Sequence, residues 1–238
     1  MLTKIIRKAL GCFVASLMTL ALMVSTAQAV PTTFDFTATV TDYSTDLSTD
    51  PFAGTIGVGN SISGYYTFDT AAPDSNPGTG FGNYYWPGGA FTVHAEIGSH
   101  TFDYHTGLQI IVEDDCGYGS IDPTTGCGPV NKIDLYQVHG IEHESTDITN
   151  QFLMFLVDDN LNALDNDSLL LTPPLLSAFT RTDGTIVSME DSTYGGIYRY
   201  WIDYDLTSLT MRSVPEPATF LLLGAGLVGL GFTRRKNT

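Results

Sequence analysis

The chain has 238 residues, of which 43% are hydrophobic and only 15% charged, and its acidic side chains outnumber the basic ones to give a net charge of −16. Between its two apolar ends, residues 30–213 hold four basic against 25 acidic side chains, a net charge of −21. A field of that sign repels nucleic acid and anionic lipid, which excludes nucleic acid as a partner, and it keeps an exported domain in solution.

Lys4, Arg7 and Lys8 make a positive start, Ala9 to Val24 an apolar stretch, and Ala27-Gln28-Ala29 a small-x-small cleavage site. That is the layout of a secretory signal peptide over residues 1–29, cut before Val30. Cys12 stands ahead of most of the apolar stretch and is read as part of the discarded segment.

From Val30 onward, alternation with period two dominates. Phe34, Phe36, Ala38 and Val40 point one way and Asp35, Thr37 and Thr39 the other, and Phe91, Val93, Ala95 and Ile97 repeat the pattern. Both read as half-buried strands. Further strands are expected at Ile62 to Phe68, Thr101 to His105, Leu108 to Glu113, Ile133 to Val138, Phe152 to Val157 and Thr185 to Met189, with a long last strand aligning Tyr198, Tyr200, Ile202, Tyr204 and Leu206. Gly98-Ser99, Asp183-Gly184 and Gly195-Gly196 suit tight hairpins, and Ala72 to Gly78 a longer loop. With no helical period in residues 30–213, this pattern predicts an all-β fold, an antiparallel β-sandwich of jelly-roll type in a single domain.

Several clusters carry candidate chemistry. Cys116 and Cys127 frame a Gly/Pro-rich stretch, and an even count of cysteines in an oxidising compartment points to a disulfide between them. Asp158, Asp159, Asn160, Asn162, Asp165, Asn166 and Asp167 form the densest run of hard oxygen ligands, which makes structural calcium the one cofactor to consider. The run is not an EF-hand, because Ala163 stands where the turn glycine belongs and Leu169 where the bidentate glutamate belongs. Tyr84-Tyr85-Trp86, followed by Pro87-Gly88-Gly89, reads as an aromatic loop that could stack on sugar rings, with Tyr194, Tyr198 and Trp201 near the last strand. His139-Gly140-Ile141-Glu142-His143 spells a zinc-protease string, but it extends a strand, and such chemistry needs helical spacing to bring both imidazoles to one face.

The chain ends in three signals of different physical kinds. Val214-Pro215-Glu216-Pro217 breaks any preceding strand, because two of its last three residues lack a backbone N–H. Ala218 to Phe232 is uncharged and rich in small residues, so its formal G-x-G-x-x-G marks close helix approach and not a dinucleotide site. Arg234, Arg235 and Lys236 then hold the C-terminus on the cytoplasmic side. At ~1.5 Å rise, the apolar run spans about 22 Å of a ~30 Å hydrocarbon core, which suits a short-lived anchor.

This tail, residues 214–238, resembles the C-terminal signal of PEP-CTERM proteins, and the β-rich middle loosely resembles their ectodomains through Gly59 to Asp69, Asp158 to Leu171 and Asp205 to Thr210. The resemblance implies an exported precursor held in the inner membrane by a single C-terminal helix. Exosortase then acts near Pro215-Glu216-Pro217 and passes the protein to the cell surface or an extracellular matrix, in association with exopolysaccharide. The expectation is a non-enzymatic protein; the alternative is a glycan-binding module or a glycoside hydrolase acting on matrix polysaccharide, whose carboxylate pair sequence cannot single out.

Overall fold

The computed structural model describes residues 31–76, 80–87, 91–118, 130–145, 147–190 and 197–213. The expected signal peptide, Cys127, the Gly195-Gly196 turn and the tail from Val214 lie outside the described residues. The described part is all-β: β1 (Thr32–Ser44), β2 (Ser61–Phe68), β3 (Phe81–Pro87), β4 (Thr92–Ile97), β5 (His100–Tyr104), β6 (Gly107–Tyr118), β7 (Val130–His143), β8 (Ile148–Asp158), β9 (Arg181–Glu190) and β10 (Ile197–Met211), with one 3-10 turn at Leu176–Ala178.

All ten strands belong to one antiparallel sheet in the order β3-β6-β7-β8-β9-β10-β1-β2-β4-β5. The expectation of two separate sheets is therefore corrected to one sheet curled into a half-barrel. The curl brings β4 and β5, at one end of the ladder, against β6, β7 and β8, near the other. A strand's side chains alternate between faces, so every strand sends one set inward. One inward row runs across seven strands through Tyr84, Ile110, Val138, Met154, Gly184, Tyr204 and Val40. Curling buries that face against itself and leaves Asp35, Thr37, Glu96 and Asp103 on the outside.

Aromatic rings fill the interior. Phe152 on β8 is fully buried and meets Phe36 of β1, Tyr104 of β5 and Tyr204 of β10 at centroid separations of 5.4, 6.0 and 5.9 Å. Phe34, Tyr66 and Phe68 form a second group, with edge-to-face contacts of Phe34 on both partners. Buried phenols need partners for their polar tips. Tyr66 and Tyr136, from opposite layers, share a hydrogen bond of 2.9 Å, and Tyr204 donates to the Leu153 carbonyl at 2.8 Å.

Two turn assignments fared differently. Gly98-Ser99 does join β4 to β5, with Gly98 at φ +62° where a side chain would be strained. Asp183-Gly184, expected to turn, lies inside β9; a Cβ on Gly184 would come within 2.4 Å of the Tyr204 ring and 2.3 Å of the Leu153 carbonyl. The glycine makes room for an aromatic neighbour and does not reverse the chain. The stretch at Tyr84 to Trp86 is likewise a strand, β3, paired with β6 from Phe81↔Glu113 to Pro87↔Gly107.

The Tyr66–Tyr136 pair gives a direct test of how the two layers are joined. Y136F leaves the Tyr66 hydroxyl buried without its partner, at a cost of about 1–3 kcal/mol, read as a drop of about 2–4 °C in Tm per kcal/mol. The double variant Y66F/Y136F should recover most of that loss in thermal or urea melts, since it removes both polar atoms together.

Candidate functional site

The two open ends of the half-barrel differ in chemistry. At one end, β6 carries a bulge between Glu113 and Cys116, with Asp115 at φ 53°. A bulge turns its extra residues off the regular ladder. Here Asp114 and Asp115 come to the neighbouring strand's Asp134, so that one carboxylate oxygen from each lies within 4.8 Å of the others. Asp134 is fully buried and tied by backbone donors: Asp115 N–H at 3.1 Å, Ala163 N–H at 2.9 Å and Leu164 N–H at 3.1 Å. The 159–180 loop thus docks on a buried carboxylate. Burial, followed by the charges of Asp134, Asp115, Asp167 and Asp165, raises the Asp114 pKa above the usual carboxylate range.

The acidic run expected to hold calcium divides. Asp165 and Asp167 stand near this cluster. Asp158, Asp159, Asn160 and Asn162 do not join it, because they are engaged within their own turn or with Thr180. Asp158 accepts from Asn160 N–H and Asn162 N–H, both at 3.0 Å, which holds its carboxyl below the usual range. Asp159 accepts from the Thr180 hydroxyl, and Asn162 donates to the Asn160 carbonyl. Asp167 accepts from Phe81 N–H, and its carbonyl accepts from the Tyr84 hydroxyl. Among the His, Cys, Asp and Glu side chains of the described residues, the group of three placed to share one cation is Asp114, Asp115 and Asp134. Sequence reading missed them because a bulge and a neighbouring strand bring them together.

The aromatic platform also changes. Tyr84 and Trp86 are buried on the inner face of β3 and Trp86 packs on Phe68 and Phe91, so only Tyr85, 50% exposed, faces solvent. Strand alternation sends neighbours to opposite sides, and three consecutive residues cannot present one stacking face. The same rule separates the zinc-protease string: Glu142 sits in β7 with its carboxylate accepting from His105 N–H at 2.6 Å and Thr106 N–H at 3.1 Å. His139 instead approaches Gln151 and His143 approaches Thr149, side chains of the adjacent strand. Cys116 is buried and disulfide-bonded; its expected partner Cys127 lies outside the described residues.

The opposite end of the half-barrel holds a polar cleft of about 200 Å³ between the edge strand β5 and the ends of β8 and β10. On the outer face, Arg212 binds the Asp35 carboxylate and stacks over the Tyr65 ring, whose centroid is 4.1 Å away. Tyr65 in turn stacks on His94. Burial works against protonation of His94, but the Asp103 and Glu96 carboxylates outweigh it and raise its pKa. Arg212 N–H also donates to the Thr33 carbonyl at 2.9 Å, so the chain is clasped to β1 as it leaves β10.

Asp114 supplies a test with a definite sign. Its folded-state pKa is raised, so the folded state binds this proton more tightly than the unfolded chain, and ionised Asp114 weakens the fold at neutral pH. The penalty is relieved as pH falls through the raised value. D114N should therefore raise Tm at pH 7 in EDTA, and by less at pH 4. Calcium should raise the wild-type Tm beyond equimolar magnesium, and lose that advantage in D114N, if the three carboxylates share a cation; equal effects of the two ions would leave them as a repelling cluster held by backbone N–H groups.

Among the described residues no helix is long and apolar enough to cross a membrane. No curated protein matches the chain, and no solved structure does. A family model for the PEP-CTERM protein-sorting motif matches residues 213–236, beginning two residues beyond the end of β10. The match takes in Val214, Pro215, Glu216 and Pro217, the apolar run, and Arg234, Arg235 and Lys236. The chain therefore carries a PEP-CTERM protein-sorting motif, which marks it for exosortase-dependent sorting to the cell exterior.

Proposed function

We propose that this chain is a non-enzymatic surface or extracellular-matrix protein, exported by its N-terminal signal, held briefly in the inner membrane by its C-terminal helix, and released by exosortase into association with exopolysaccharide. The observation that carries this reading is the sorting motif at residues 213–236 joined almost directly to a completed β-domain. Strongly acidic, β-rich cargo suits life outside the cell, where net charge keeps it in solution. Structural calcium at Asp114, Asp115 and Asp134 belongs to the same proposal, since a cation there would relieve the crowding of charge.

The non-enzymatic part is supported by how the inward carboxylates are used. Asp134, Asp158 and Glu142 each accept backbone N–H bonds that fix a loop or turn, which is structural work. A glycosidase needs two free carboxyls facing each other across the sugar. The second reading, a glycan-binding module, is favoured over a hydrolase by the cleft at β5, whose lining includes one carboxylate residue, Asp103, with its carboxylate engaged by His94, and not a facing pair.

Replacing Pro215-Glu216-Pro217 by three alanines tests the sorting half of the proposal. The variant should still lose residues 1–29 yet accumulate uncut in the inner-membrane fraction, while the wild type is found at the surface or in the medium. Equal release of both in a fractionation blot would show that processing does not read the motif.

A further inference from the structure

The cleft at the free edge of β5 has features that the fold by itself does not require. It is lined by Thr101, Phe102, Asp103, Tyr104, Asn150 and Tyr200. In the register of the sheet, Asn150 of β8 and Tyr200 of β10 are both opposite Ser188 of β9, so one inward row ends at this mouth. The Tyr104 hydroxyl is buried, with the residue 1% exposed, and has no partner among the described residues; the same is true of the buried Asn150 Oδ1. Buried polar atoms nearly always have a partner, and leaving one unmade costs about 1–3 kcal/mol. Two such atoms belong to residues that line one cleft, which points to something bound there.

The edge strand adds donors and acceptors of its own. Among the described residues β5 pairs only with β4, and Ile97↔His100 closes their two-residue hairpin. Counting along an antiparallel ladder from that pair, residues 101, 103 and 105 direct their backbone groups away from β4. His105 shows this phase directly, since its N–H reaches Glu142 on β7. Thr101 and Asp103 therefore offer backbone N–H and C=O groups to the cleft, although the Asp103 carboxylate itself is turned outward to His94. Phe102 and Tyr200 meet edge to face at 5.9 Å beside it, and the surface they leave to the cleft is almost wholly polar.

We propose that this cleft binds one neutral sugar unit. Its volume of about 200 Å³ equals that of roughly six or seven waters at ~30 Å³ each, below the range of larger ligand pockets and on the scale of a single pyranose ring. A lining of mixed donors and acceptors, almost wholly polar, matches a molecule whose hydroxyls both give and accept hydrogen bonds. Among the described residues no cationic side chain lines the cleft, and the domain's charge opposes an anionic ligand. The choice of sugars over other polyols rests on the matrix association proposed above. The fractionation assay there reads the tail and the binding assay here reads the cleft, so either can fail alone.

The test is saturation-transfer NMR and thermal shift on the full chain in detergent, with glucose, galactose, mannose and N-acetylglucosamine as probes, and glucuronate and glycerol as controls. At least one neutral sugar should bind in the millimolar range. N150A should weaken it tenfold or more and Y104F at least threefold, while Y85A, altering an exposed ring on another strand, should leave it unchanged. Y104F keeps the ring, so it remains informative if N150A does not fold. Binding of none of the sugars, equal binding of glucuronate or glycerol, or binding that survives Y104F would overturn the proposal.

Discussion

Everything in this molecule depends on one sheet burying one of its own faces. Ten strands share a single ladder and a single interior, and no helix covers either face among the described residues. Curling is then the way for the apolar set of each strand to leave water, at a gain of about 1.5–3 kcal/mol for each large side chain fully buried. Phe152 shows how tightly the curl is drawn, since rings from β1, β5 and β10 all meet it. Gly140 shows the limit: a Cβ there would lie 2.9 Å from Val93 and 3.1 Å from Tyr104, both from the facing layer. The interior has room for large rings on one layer because the other supplies a bare backbone opposite them.

That arrangement joins the beginning and the end of the domain. β1 and β10 pair from Phe34↔Met211 to Ser44↔Trp201, in the middle of the ladder and not at an edge. The chain enters β1 and leaves β10 at the same place, and the clasp of Arg212 on Asp35 spans 177 positions in sequence. Contacts of such long range carry a loop-closure cost and slow the folding of β-rich domains. β10 is the strand that joins β9 to β1 in the ladder, and the sorting motif follows it directly.

Much of the architecture was legible because period-two alternation is a strong local signal. Phe34 to Val40 and Val93 to Ile97 could be assigned to faces directly, and Gly98-Ser99 carried the chemistry of its turn. The failures came where long-range packing overruled local chemistry. Tyr84-Tyr85-Trp86 read as a loop because glycines follow it, yet pairing with β6 makes it a strand and sends two of its rings inside. Asp183-Gly184 read as a turn, yet the glycine is there for the Tyr204 ring. The acidic run from Asp158 was visible, but its use was not, since Asp134 and the bulge at Asp114 and Asp115 come from other strands. The β5 cleft had no sequence signature. Its donors are backbone groups of an edge strand, and Asn150 and Tyr104 become neighbours only through the curl.

The central claim is that one continuous sheet encloses one cooperative core, and native-state hydrogen exchange with residue resolution tests it most directly. Amides of β1 and β10 next to Phe36 and Ile202 should exchange with the same opening free energy as those of β7 and β8 next to Val138 and Phe152, because both halves are lost together. If the β1, β2, β4 and β5 amides exchanged through a separate and much lower opening while β6 to β9 stayed protected, the molecule would be two stacked units, and the single-core account would be contradicted.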